Sequence, residues 1–380
     1  MTIAIFLIIL LTSVAIGIPI AFSLLLCSLG LMIHLDMVDP QIMAQSLING
    51  ADNFTLLAIP FFVFAGEVMN VGGLAKRLID LPMKLVGHKA GGLGFVVIIA
   101  AVIMASLSGS PAADTAAIAA IMFPMMMKAK YDPARSTGLI AAGGIIAPII
   151  PPSIPFIVIG VTASVSISQL FMAGIVPGIL MGVALCMMWY FQSRKLETSK
   201  KATGAEIFAA FKSSILALLL PVIVIGGFRL GIFTPTEAGA VASVYALFIS
   251  IFVYREITFK AIYEALLATA KTTAVIMLMV ASAQVSAWLM TVADLPLMVA
   301  EVLKPLASSP TLLMALILVL LMAMGMVLDL IPIVLIMVPV LMPIIREAGI
   351  NEIYFCVMFI FCCSVGLITP PVGNVLNVLF

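Results

Sequence analysis

Charge is what this 380-residue sequence has least of: 9% of its residues are charged, against about a quarter in an ordinary soluble domain, while 64% are hydrophobic. A soluble fold has too little interior for so much apolar surface, and the mean hydropathy of +1.32 leaves little room for a soluble domain or a disordered tail. Eighteen basic residues against 17 acidic ones leave a net charge of +1 and no basic patch to draw a phosphate backbone, which argues against nucleic acid as a partner. The five cysteines (Cys27, Cys186, Cys356, Cys362, Cys363) lie in apolar stretches without CxxC or zinc spacing, so they read as small core hydrophobes. No GxxxxGK[ST] sequence occurs, which argues against ATP hydrolysis in this chain. His34 and His88 fall near predicted membrane boundaries, and no serine or cysteine has an obvious base beside it, so an enzyme is not expected and no cofactor is called for. A basic n-region and a cleavage site are also lacking after Met1, so a removed signal peptide is not expected.

What remains is an all-α polytopic membrane protein. A spanning helix needs about 20 apolar residues, and thirteen apolar pieces qualify or nearly so: 3–17, 20–35, 54–70, 91–107, 111–130, 136–162, 169–192, 213–231, 236–254, 272–290, 311–325, 329–345 and 353–379. Two amphipathic stretches, 72–89 and 293–306, are too polar to span and are expected along the interface. The longest polar connection divides the chain near its middle, and the halves repeat. Asp114 precedes Pro124 by ten residues and Asp329 precedes Pro339 by ten; Ile150-Pro151-Pro152-Ser153 is echoed by Thr369-Pro370-Pro371-Val372. The expected organisation is a first repeat over 1–193 with a helical hairpin at 91–130 and a broken helix at 136–162, and a cytoplasmic linker at 194–212. A second repeat follows over 213–380, with a hairpin at 311–345 and a broken helix at 353–379. A counterpart of 169–192 is missing at the end, so the sequence reads as one helix short of its own plan.

Charge selects which pieces re-enter. If 91–130 and 311–345 are re-entrant hairpins, 15 of the 18 Lys and Arg residues fall on one side of the membrane and only Arg229, Lys304 and Arg346 on the other. Making 42–70 and 260–290 the hairpins gives a poorer twelve against six. The better choice gives the first repeat five crossings, and an odd number inverts the second. The N-terminus is then outside, which the resemblance given below makes periplasmic. Two inverted repeats with discontinuous helices at mid-membrane are the pattern of a secondary transporter.

Four groups of residues could carry its chemistry. The turn around Ser108, Gly109 and Ser110 is rich in small residues and hydroxyls, and its tip could hold a small ion; a plain helix–turn–helix is the competing reading. Proline cannot donate to the carbonyl four residues earlier. Pro151 and Pro152 therefore release Ala147 and Pro148, while Pro370 and Pro371 release Gly366 and Leu367. Free carbonyls are costly in a bilayer; a sodium ion held by carbonyls and hydroxyls offsets that cost, and a kink satisfied by neighbouring helices is the alternative. Asp114 and Asp329 occupy matching positions near the start of each returning hairpin helix, where they face a cation or simply cap the helix. Ser153, Asn374 and Asn377 could present polar groups to a solute, or else bond helix to helix. Glu67 and Glu237, isolated near helix ends, read as packing or subunit contacts, and the methionine stripes at 122–127 and 277–298 as gap-filling core.

LLAIPFFVFAGEVM (56–69), SLSGSPAADTAA (106–117), GGIIAPIIPPSIPF (143–156), GIFTPTEAGAVA (231–242) and GLITPPVGNVLNV (366–378) together resemble the large membrane subunit of tripartite ATP-independent periplasmic (TRAP) transporters, the DctM-like family. Within it, 36–52 and 84–95 are most similar to the subunit assigned to 2,3-diketo-L-gulonate uptake. The resemblance implies sodium-driven import of an organic acid across the bacterial inner membrane. It implies two partners besides the bilayer: a periplasmic solute-binding protein that delivers the acid, and a small four-helix membrane subunit. An ion-transporter-superfamily fold is implied too, in which hairpins and broken helices move as an elevator against a scaffold. Carried onto this sequence, a first sodium site falls on Ser108 and the carbonyls of 147–152, including Ala147, Pro148 and Pro152, with Asp114 nearby; a second falls on Gly325, Asp329, Gly366 and Thr369. A free-standing ion-coupled carboxylate exchanger on the same scaffold is the runner-up.

Overall fold

A computed structural model describes residues 2–193, 201–299, 301 and 309–379. Among these residues every regular element is helical, as a bilayer demands of a chain that must satisfy its backbone internally. Among the described residues six helices are long and apolar enough to cross a membrane: Phe54–Val71, Ile167–Ser193, Gly204–Arg229, Pro235–Tyr254, Phe259–Val292 and Leu330–Glu347.

One group of helices forms a frame. α1 (Thr2–Ala15) and α2 (Ile20–His34) pack together, and α3 (Pro40–Ala51) follows. The sequence reading had no helix at α3, yet its start is signalled by Asp39, whose carboxylate accepts from Gln41 N at 2.8 Å, and by Pro40 in the first turn. α4 (Ala58–Val71) lies along α12 (Pro235–Phe248) and α13 (Phe259–Val292). Hydroxyls stitch this frame: Ser243 donates to Phe61 O at 2.6 Å, Thr236 to Phe54 O at 3.2 Å, and Ser286 to Leu24 O at 3.0 Å. Gly239 keeps α12 and α4 close, since a Cβ there would stand 3.0 Å from Phe61 Cβ. Small residues and hydroxyls take this role where lipid removes the hydrophobic drive between helices.

Two elements differ from the sequence boundaries. α11 spans Gly204–Arg229, so it begins within the stretch read as the polar linker; Thr203 and Glu206 form a capping box that starts it there. Residues 194–200 of that linker lie outside the described residues. α13 is one 34-residue helix, so Lys271, just before the apolar piece 272–290, stands within it. Of the amphipathic stretch 293–306, residues 300 and 302–306 lie outside the described ones.

α5 (Leu74–Val86), the other amphipathic stretch, bridges this frame to the second group of helices, packing on α11 and on α6 (Gly92–Ser108). α6 turns through Gly109 into α7 (Pro111–Lys128), then α8 (Pro133–Gly144) breaks over 145–153 before α9 (Ile154–Ala163) and α10 (Ile167–Ser193). The later counterpart is α14 (Pro310–Gly325), α15 (Leu330–Glu347), α16 (Glu352–Gly366), a break over 367–373, and a single turn, α17 (Asn374–Asn377). α10 is anchored by Trp189, which donates to Gly91 O at 2.8 Å and fills the space a side chain at Gly94 would need. The two helix sets interlock: α9 lies along α15, and α17 touches α7 and α8.

Candidate functional site

Each hairpin turn meets an interrupted helix. At the first turn Gly109 has φ +60°, the left-handed region that favours glycine. A Cβ there would sit 2.8 Å from Pro152 O and 2.9 Å from Ile154 N, so the turn presses its backbone onto the break between α8 and α9. At the second, a Cβ on Gly325 would stand 2.7 Å from Cys363 O and 3.1 Å from Gly366 Cα. Met326 O beyond it accepts from Val372 N at 3.1 Å and Gly373 N at 3.3 Å. Small residues at 109, 325 and 366 thus permit backbone contact that larger side chains would prevent.

The four carbonyls freed by proline have different fates. Pro148 O accepts the Ser153 hydroxyl at 2.5 Å. Gly366 O accepts Thr369 N at 2.8 Å, and Leu367 O accepts Val375 N at 3.1 Å. Ala147 O takes no hydrogen bond among the described residues. In the first hairpin the Ser108 hydroxyl donates to one carboxylate oxygen of Asp114, which is 3% exposed, and the other, Oδ2, has no partner among the described residues. A buried carboxylate oxygen without a donor is expensive. The first cluster therefore offers unpaired oxygens, the chemistry a monovalent cation needs, and these residues fit such an ion. In the second cluster the oxygens are engaged locally: Asp329 Oδ1 accepts Leu330 N at 2.8 Å, and the Thr369 hydroxyl donates to Val365 O at 2.8 Å. Each carbonyl there keeps a second lone pair.

Between these clusters lies a cavity of about 440 Å³, within the range of small-ligand sites. Its walls come from the first hairpin (108–113), the start of α9, the start of α15 with Asp329, and Asn374 on α17. The opposite wall is α4 and α13, with Glu67, Asn70, Lys271 and Thr272. Ser108, Gly109, Ser110, Asp329 and Asn374 are thus brought to one space. Ser153 is buried and holds the break, accepting Phe156 N at 3.3 Å as it donates to Pro148, and Asn377 lies off the cavity lining. Glu237 caps α12, accepting from Thr234 N at 2.8 Å, whereas Glu67 lines the cavity. Sequence reasoning passed over Asn70, Lys271 and Thr272 as site residues. Lys271 could have been found as a lone ionisable residue in the weakly polar run 268–275, the kind of intramembrane charge that marks a solute path.

The family described as "Tripartite ATP-independent periplasmic transporter, DctM component" matches residues 7–380. The chain is 62% identical to the 2,3-diketo-L-gulonate TRAP transporter large permease protein YiaN of Escherichia coli (strain K12), over all of this chain and 90% of that protein. It is 40% identical to the sialic acid TRAP transporter large permease protein SiaM of Vibrio cholerae, over 95% of this chain and 85% of that one. Against the C4-dicarboxylate TRAP transporter large permease protein DctM of Pseudomonas aeruginosa the identity is 36%, over 87% and 78%. The paired hairpin turns, the interrupted helices and the apolar helices around them are therefore those of an integral membrane transport protein, and the chain belongs to the DctM family of TRAP transporter large permeases.

Proposed function

We propose that this protein is the membrane permease of a sodium-coupled importer of an organic acid, supplied by a periplasmic solute-binding protein and braced by a small four-helix membrane subunit in the bacterial inner membrane. The observation that carries the reading is the meeting of each hairpin turn with a helix break, beside one cavity walled by the first turn and by the starts of α9, α15 and α17. Sodium bound at Ser108, Asp114 and the 147–152 carbonyls, and at Gly325, Asp329, Gly366 and Thr369, would place positive charge beside that cavity. The first turns of α7, α9 and α15 also face it, and helix N-termini favour an anion. The 2,3-diketo-L-gulonate and sialic acid printed in two relatives' names suit such a space.

The chain divides on this reading into two repeats of inverted topology, with its N-terminus periplasmic. Fourteen of the 18 basic residues then fall on the cytoplasmic side, with Lys271 standing within α13 on the cavity wall. Asn70 lies in the last turn of α4, just before Lys76 and Arg77 of α5, so on this reading the cavity lies nearer the cytoplasmic face. Hairpins and broken helices move as one body along the α4–α13 frame, carrying the solute between faces.

Uptake by proteoliposomes carrying this chain with its small subunit tests the proposal. Uptake should need both an inward sodium gradient and the binding protein. Transport of free acid at full rate without the binding protein would instead favour a free-standing exchanger, and accumulation without sodium would remove the coupling.

A further inference from the structure

A cavity that receives an acid must offset its charge, and among the described residues Lys271 is the one basic side chain on this wall. The neighbouring Lys260 pairs with Glu264 at 3.8 Å near the start of α13. Lys271 lies seven residues beyond Glu264, about 10 Å further along the helix at 1.5 Å per residue. It has no ion-pair partner among the described residues. Neither has Glu67, which faces the same cavity from α4, with Asn70 one turn further on the same side. An ammonium and a carboxylate on one cavity wall, left unpaired with each other, are both available to a ligand, and ionisable groups at membrane depth are retained for such work.

We infer that the α4–α13 wall selects a singly charged, polyhydroxylated acid over a dicarboxylate, an inference that rests on the transport reading above. Lys271 takes the carboxylate. Glu67 only accepts hydrogen bonds, so it suits the donors of a hydroxyl-bearing chain, which Asn70 and Thr272 can meet with either polarity. A second carboxylate brought against Glu67 has no proton to give it and meets like charge. Asp329, on the facing wall, adds a further negative charge and already commits one oxygen to Leu330 N. Rejection of the dianion thus comes from a repulsive element as well as from missing contacts.

The test is calorimetric binding of D-gluconate and succinate to the purified complex of this chain with its small membrane subunit, in sodium. The wild type should bind gluconate about tenfold more tightly than succinate, a difference of about 1.4 kcal/mol. Glu67→Gln should bring the two affinities close to equal by strengthening succinate, while Glu67→Asp, which keeps the charge, should retain the preference. Lys271→Gln should weaken both probes about tenfold. A preference unmoved by Glu67→Gln, affinities unmoved by Lys271→Gln, or a wild type that prefers succinate or binds neither probe would overturn the inference. Thermal unfolding of each variant separates misfolding from altered selection. Sodium-driven uptake by the wild type with its binding protein is measured in parallel: intact uptake beside any of those results removes only the selecting wall, whereas absent uptake removes the transport reading itself.

Discussion

Ser108 carries one of the few hydroxyls in the first hairpin turn, and it is committed to Asp114, whose second oxygen has no partner. Ser108→Ala leaves that carboxylate without any side-chain donor, a loss of about 1–3 kcal/mol for a buried polar group. On the proposed reading the variant needs a sodium concentration about tenfold higher for half-maximal uptake, which a sodium titration in proteoliposomes measures. Gly325 makes a different demand. A methyl group there would meet Cys363 O at 2.7 Å, so Gly325→Ala must part α14 from α16. It should lower stability by about 1–3 kcal/mol, seen as a fall in Tm of the purified protein. The prolines made both helix breaks legible in the sequence, because a missing N–H is a property of one residue. Which oxygen accepts which donor was not legible: Ser153 turns back onto Pro148 O, and Thr369 N closes on Gly366 O, through contacts that exist only once the chain has folded. Lys271 escaped notice because its place on a long helix, not its identity, makes it part of the cavity.

Among the elements, α5 is fixed at one end by a cluster that the sequence did not announce. Arg77 donates to Glu256 Oε1 at 2.6 Å and to Gly73 O at 2.9 Å, and its guanidinium lies 3.8 Å from the centre of the Tyr254 ring. Arg77 and Glu256 lie 179 positions apart in sequence, a distance that no local pattern bridges. The Arg77 hydrogen bond holds the Glu256 carboxyl below its ordinary range. A carboxylate whose pKa is lower folded than unfolded stabilises the fold fully above its unfolded value, and that contribution is lost as pH falls through the folded one. The Tm difference between wild type and Glu256→Gln should therefore be present at pH 7 and vanish on acidification below pH about 4. Because the pair is partly exposed, added salt should shrink that difference too. The amphipathic α5 was readable from its charges at 76, 77 and 84. The lengths of α11 and α13 were not, since their polar first turns extend beyond the apolar run that marks a bilayer crossing.

Over the whole molecule, the all-helical membrane character was legible from composition alone, and the grouping of hairpins with broken helices from repeated spacings of Asp and Pro. The cavity was not, because half of its wall belongs to α4 and α13, which carry no counterpart of those motifs. If the cavity opens to the cytoplasm, Asn70→Cys, in a background with the five native cysteines replaced, should react with a membrane-impermeant maleimide from the cytoplasmic face. Faster reaction from the periplasmic face would reverse the proposed orientation. α9 rests on α15, and α17 on α7 and α8, so each interrupted helix leans on helices of the other hairpin group. A shift in either half must then strain its neighbour. On the proposed reading the two groups have reason to change shape together, and an uptake curve that rises more steeply than first power in sodium is the behaviour this mutual bracing would impose.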